Sequence, residues 1–178
     1  MINSRRITTL LGAVALLVGG VFATSTAFAD TAKPGASAVN SLDASWHYVY
    51  TGLPPYHQLD ANPSTMNNNG GIVWQWQYNG AIQQQWYFLN DYTIRPAGNT
   101  GMCLDANPDT NWNGGTVYLW SCNNSSQQRW YHRSNDAYQN GYSGRCLDAN
   151  PNTNYNGGTI YQWDCNNAAQ QHWYSGHA

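Results

Sequence analysis

The stretch CLDANPDTNWNGGTVYLWSCNNSSQQRW, Cys103 to Trp130, returns 43 positions later as CLDANPNTNYNGGTIYQWDCNNAAQQHW, Cys146 to Trp173. Aligned without gaps, 20 of the 28 residues agree. A third copy stands upstream as LDANPSTMNNNGGIVWQWQYNGAIQQQW, Leu59 to Trp86, with one extra residue before its glycines and Gln58 and Tyr78 in place of the two cysteines. The tryptophans that end the copies, Trp86, Trp130 and Trp173, lie 44 and 43 residues apart. A fixed period of this length marks units that bury their apolar faces against one another. The chain divides into three such units, 43–88, 89–131 and 132–174.

Within a unit the signals are all β. Short alternating runs (Trp46–Tyr50, Val73–Trp76, Val117–Trp120, Ile160–Trp163) are parted by Asn-Gly, Gly-Gly and Asn-Pro turns. No helical period persists beyond the first thirty residues. Three units of about four strands are too few blades for a propeller, which needs at least about four. A small barrel capped by hairpins fits instead: an all-β fold, a β-trefoil of about twelve short strands.

Residues 1–29 read as a secretory signal peptide: Arg5 and Arg6, an apolar run from Leu10 to Phe22, and Ala27-Phe28-Ala29 before Asp30. That run is shorter than the ~20 residues that span a bilayer. Residues 30–42 read as a flexible lead-in, and 43–178 as one domain. From Asp30 onward there are five basic and nine acidic side chains and no glutamate. Such a balance argues against nucleic acid and anionic membrane, which need basic surface. Abundant Trp, Tyr, Asn and Gln suit a rigid surface for neutral, hydroxyl-rich ligands. The exported compartment permits disulfides. Equal spacing within the two repeats pairs Cys103 with Cys122 and Cys146 with Cys165. Zinc is disfavoured because no Cys-x-x-Cys or histidine spacing accompanies them.

The Cys-Leu-Asp start, Asn-Gly turn, x-Trp-x-Cys segment and Gln-x-Trp end, in three phased copies over about Asp43 to Tyr174, resemble the ricin B-chain-like lectins and their trefoil carbohydrate-binding modules. The arrangement is most similar to the three-repeat actinohivin-like lectins. That resemblance implies a site in each repeat. Asp60, Asp105 and Asp148 match the aspartate that grips sugar hydroxyls, and Trp76, Trp120 and Trp163 match the stacking aromatic of ricin-like sites. Trp74, Tyr118 and Tyr161 match the tyrosine of actinohivin-like sites, and Asn79, Asn123 and Asn166 its asparagine. Gln84, Gln128 and Gln171 open the Gln-x-Trp motif and hold the aspartate or the pocket base. Strand alternation puts each aromatic pair on one outward face. The loop after each aspartate is longer than in the actinohivin-like lectins and carries Trp112 or Tyr155 in two units.

Bland readings stand beside these. The aspartates and asparagines could serve only their turns, and the aromatic pairs could pack beneath the loops. The Asp105–Asn113 alternation resembles a calcium loop, but Thr110 and Thr116 stand where that motif needs Gly and Glu. No metal or cofactor is expected. Catalysis is not expected either, since glycosidases need two carboxyls about 5–10 Å apart and the repeat aspartates should surround a threefold axis. The expectation is a secreted lectin with up to three equivalent shallow sites for neutral sugars of glycans or polysaccharides. The alternative is a trefoil protein-interaction module, an inhibitor or the targeting subunit of a secreted toxin or enzyme, with a separate protein partner.

Overall fold

The structure is a computed structural model that describes residues 45–176. The expected signal peptide (1–29) and lead-in (30–42) lie outside the described residues, as does the C-terminal pair 177–178. Twelve strands follow in chain order: β1 His47–Thr51, β2 Gln58–Ala61, β3 Gly71–Trp76, β4 Gln85–Phe88, β5 Ile94–Pro96, β6 Met102–Ala106, β7 Gly115–Ser121, β8 Trp130–His132, β9 Tyr138–Asn140, β10 Cys146–Ala149, β11 Gly158–Trp163 and β12 Trp173–Gly176. The described residues contain short 3-10 turns but no α-helix. None of their helices is long and apolar enough to cross a membrane.

Each repeat supplies four strands, and the pairing is that of a β-trefoil. The second and third strands of each repeat form hairpins β2–β3, β6–β7 and β10–β11. Strands β3, β7 and β11 also pair with one another, closing a triangle at the cap. The outer strands form the barrel: β4 pairs with β5, β8 with β9, and β1 with both β4 and β12. Where ladders are short, single bonds complete the ring: the Trp130 N–H donates to Tyr92 O and the Trp173 N–H to Asp136 O, both at 2.8 Å. First and last repeats thus meet along β1 and β12.

The Gln-x-Trp tryptophans are the core, as their spacing predicts. Trp86, Trp130 and Trp173 are no more than 2 % exposed. Each indole N–H donates to the leucine carbonyl of its own Leu-Asp pair: Leu59 O at 2.8 Å, Leu104 O at 3.0 Å and Leu147 O at 2.9 Å. A buried Trp needs such a partner, and this one ties the last strand of each repeat to its hairpin beside the aspartate. Both expected disulfides are present, Cys103–Cys122 and Cys146–Cys165, with Cα atoms 5.1 Å apart. In repeat 1 the ring of Tyr78 meets Tyr48 edge-on at 4.8 Å, an aromatic contact where the others have a covalent one.

The Asn-Gly-Gly segments do more than turn. The first glycines, Gly70, Gly114 and Gly157, have φ of 83°, 88° and 87°, which side chains disfavour. Their N–H groups donate across to the neighbouring repeat, to Leu119 O, Gln162 O and Gln75 O. The preceding Asn69, Asn113 and Asn156 accept from Ser121, Asp164 and Gln77 N–H, each at 2.7 Å. Each loop is therefore a clasp onto the next repeat. Gln75 and Gln162, polar on an inward-facing strand position, are explained by the same contact. The Gln75 amide donates to Asn150 O and Thr159 O at 3.1 and 3.2 Å. The Gln162 amide donates to Thr110 O at 3.0 Å. Leu119, their counterpart, faces the longer loop of repeat 1.

Candidate carbohydrate site

Cross-strand register puts each aspartate opposite an aromatic: Asp60 faces Trp74, Asp105 faces Tyr118 and Asp148 faces Tyr161. Directly opposed residues share a face of the sheet. The aspartates are nevertheless buried, at 2, 2 and 1 % exposure, so the expected open carboxylate is recessed. One oxygen is braced by the Gln-x-Trp glutamine: Gln128 Nε2 to Asp105 Oδ2 at 2.9 Å, Gln171 Nε2 to Asp148 Oδ2 at 2.8 Å. The other, Oδ1 of Asp105 and of Asp148, is buried without a hydrogen-bond partner. Removal from water pushes both carboxyls up to about 6, against which the glutamine bond is a smaller opposing effect. Asp60 is also raised by burial, but its Oδ1 accepts the Trp74 indole N–H at 2.7 Å.

Gln84, Gln128 and Gln171 are fully buried, beneath the aspartates rather than open at the surface, in keeping with the expected role of holding the aspartate or the pocket base. Each Oε1 accepts the N–H of Asn79, Asn123 or Asn166 at 2.9 Å. Their amides also donate to Gln77 O, Ser121 O and Asp164 O. They are positioning residues that lock aspartate, strand end and turn together. The three asparagines are exposed, and their Oδ1 atoms accept from the N–H two residues on, Ala81, Ser125 and Ala168. Their oxygens serve the turn, and only their amide groups remain for a ligand. The aspartates make no such turn bond; that task falls to Asn62, Asn107 and Asn150.

The aromatic pairs do face outward. Ring centroids lie 4.9 Å apart in Trp74–Trp76, 5.4 Å in Tyr118–Trp120 and 5.3 Å in Tyr161–Trp163, all tilted alike at 33°, 36° and 34°. Trp120 is exposed and the others are half-buried. Burial raises the Tyr118 and Tyr161 hydroxyls, the latter to about 12, and the facing aspartate adds to both shifts. The Tyr161 hydroxyl lies near enough to Asp148 to lower its carboxyl and be raised in turn, although the approach to Oδ1 falls short of hydrogen-bond geometry.

Each pair borders a clasp from another repeat. A Cβ on Gly114 would lie 3.8 Å from the Trp163 ring, and one on Gly157 3.9 Å from both Trp74 and Trp76. The loop aromatics Trp112 and Tyr155, 56 and 59 % exposed, therefore sit on loops that reach the pairs of repeats 3 and 1. The loop reaching repeat 2 has Asn68 there. Single-sequence reading missed this composite construction; the recurring Asn-Gly-Gly and the two inward glutamines were its signal.

Two hollows open on the described residues, and only the first lies away from the aromatic pairs. One of about 730 Å³ opens at the barrel end and is lined by Tyr50, Phe88, Tyr92, Tyr131, His132 and Tyr138 among others. The second, about 210 Å³, sits at the cap between Ile72, Trp74, Thr116, Tyr118 and Gly157. Neither is lined by the aspartates. Among the described residues no three His, Cys, Asp or Glu side chains cluster to hold a metal.

The family model for the ricin-type β-trefoil lectin domain matches residues 56–173. No curated protein matches the chain by sequence. Among solved structures, the C-half of the earthworm R-type lectin in complex with GalNAc is 17 % identical, with a TM-score of 0.61 over 74 % of this chain and 97 % of that one. The β-trefoil lectin of the Vibrio vulnificus hemolysin/cytolysin, with N-acetyl-D-lactosamine bound, is 20 % identical, with a TM-score of 0.59 over 75 % of this chain and 95 % of that one. An exo-β-1,3-galactanase from Clostridium thermocellum is 22 % identical, with a TM-score of 0.65 over 76 % of this chain but 30 % of the longer enzyme. At these identities the likeness is one of fold.

Proposed function

The chain belongs to the ricin-type β-trefoil lectin family, and from that premise we propose that it is a secreted lectin holding neutral sugars at shallow sites on the outer face of its hairpins. The observation that carries this reading is the pair of unpaired buried oxygens, Asp105 Oδ1 and Asp148 Oδ1, beside outward aromatic pairs. A buried acceptor without a partner costs stability. A sugar hydroxyl supplies the missing donor in a charge-assisted bond, about twice as strong as a neutral one, while its apolar face covers a ring. Because the oxygens are recessed, the cross-strand Tyr118 or Tyr161 must yield as the hydroxyl enters. The exposed amides of Asn123 and Asn166 add donors at the rim.

Asp105→Asn with Asp148→Asn tests this. Asparagine keeps an acceptor for Gln128 and Gln171 but puts an amide where the hydroxyl needs an oxygen. Retention on plant and cell-wall polysaccharide resins should fall at least tenfold while near-UV circular dichroism stays unchanged. Undiminished retention would sink the pocket assignment.

Catalysis is not part of the proposal. Asp109 lies close enough to Tyr118 to raise its hydroxyl, but the matching residue in repeat 3 is Asn152, so the second site lacks the second carboxyl. A targeting role for a separate protein partner is the alternative, favoured by the trefoil matching only 30 % of the galactanase chain. A lectin is released by free sugar; a partner held by protein contacts co-purifies regardless.

A further inference from the structure

The three repeats do not present the same acceptor. At one register position, opposite the aspartate, repeats 2 and 3 carry Tyr118 and Tyr161, whereas repeat 1 carries Trp74. Neither tyrosine satisfies Oδ1 of its aspartate with a hydrogen bond of good geometry, though the Tyr161 hydroxyl comes near enough to Asp148 to lower its carboxyl. The Trp74 indole instead donates to Asp60 Oδ1 at 2.7 Å, the short distance of a bond to an ionised acceptor. Trp74 and Trp76 are also the most closely packed of the three outer pairs, at 4.9 Å against 5.4 and 5.3 Å. Resting on the lectin reading above, we infer that Trp74 locks repeat 1: its indole N–H takes the carboxylate oxygen that a sugar hydroxyl takes in repeats 2 and 3, leaving two working sites.

The lock follows from competition. A hydroxyl entering repeat 1 must displace a bond the chain already makes to itself, so it gains no new pairing there. In repeats 2 and 3 it satisfies an atom that has none. The neighbouring loop does not rescue repeat 1: Tyr155 lies on the clasp at its rim but cannot release the aspartate below. Repeat 1 further lacks the disulfide that ties β6 and β10 to the residues that follow β7 and β11.

Saturation-transfer NMR tests the lock with free galactose, N-acetylgalactosamine, mannose, glucose and xylose, so that avidity plays no part. The wild type, Asp105→Asn/Asp148→Asn and the same double variant with Trp74→Phe are compared. Phenylalanine keeps the ring and removes the N–H. The expected result is transfer to at least one sugar in wild type, complete loss in the double variant, and return of transfer when Trp74→Phe is added. A double variant that still transfers saturation to a sugar would overturn the lock and leave the lectin reading standing. A silent triple variant would show that Trp74 is not what closes the site. Wild type silent to all five sugars and to the polysaccharide resins would overturn the lectin reading, and this inference with it.

Discussion

At the residue scale, the molecule turns on two carboxyl groups placed where water cannot reach them. Asp105 and Asp148 rise to about 6 from an ordinary 3.8 because burial penalises the charge more than Gln128 repays at Asp105, or Gln171 and Tyr161 together repay at Asp148. The folded state then binds the proton more tightly than the unfolded chain does. Stability contributed by these groups is full below about pH 4 and is lost as pH rises through about 6. Urea unfolding of wild type between pH 4 and 8 should show this fall, and Asp105→Asn/Asp148→Asn should flatten it. A bound hydroxyl favours the ionised form, so sugar affinity should climb over the same interval as stability declines. The aspartates were legible from repeat phase and resemblance, because identity and register travel in the sequence. Their burial was not, since it depends on the packing of Tyr118, Tyr161 and the buried glutamines around them.

At the scale of elements, the clasping loop is the unit that joins repeats. Its second glycine has no room for a side chain: a Cβ on Gly115 would fall 1.8 Å from Thr110 O, and one on Gly158 1.7 Å from Thr153 O. Gly115→Ala or Gly158→Ala should cost about 3 kcal/mol or more, through forced backbone movement. Gly114→Ala, at φ 88° with its nearest neighbour 3.8 Å away, should cost only the left-handed penalty of about 1–2 kcal/mol. Thermal unfolding of the three variants checks the order. Gln162→Leu imitates Leu119 but withdraws the donor from Thr110 O and Asn107 O. It should lose about 1–3 kcal/mol, again by thermal unfolding, although it adds an apolar side chain to an inward position. The inward glutamines interrupt the apolar alternation of their strands, and their partners were not legible because the sequence does not say which loop lies over which strand.

For the whole molecule, three repeats close on themselves through β1 and β12, so none is an independent domain. The two disulfides each link positions 19 apart and fasten hairpins in repeats 2 and 3. Cys103→Ser with Cys122→Ser should remove about 3 kcal/mol, measured as a lower urea midpoint with the fold retained. The two sites proposed above, held on one rigid body, would suit a multivalent glycan, where linkage raises avidity by about 10²–10⁴. The aromatic hollow at the barrel end is lined by none of the aspartates or aromatic pairs of the three hairpins.

The sequence by itself determined the architecture: a period of 43 to 44 residues, turn chemistry and alternation leave few ways to bury three tryptophans, and equal cysteine spacing selects the disulfides. It also named the side chains that gather at each hairpin. Tertiary structure alone decided which repeat's loop borders which aromatic pair, and how deep each carboxylate lies. It also decided that Trp74 bonds to Asp60 where the tyrosines leave their aspartates unpaired. Periodicity reports what recurs along the chain, whereas hydrogen-bond competition and solvent exclusion arise only when distant segments meet.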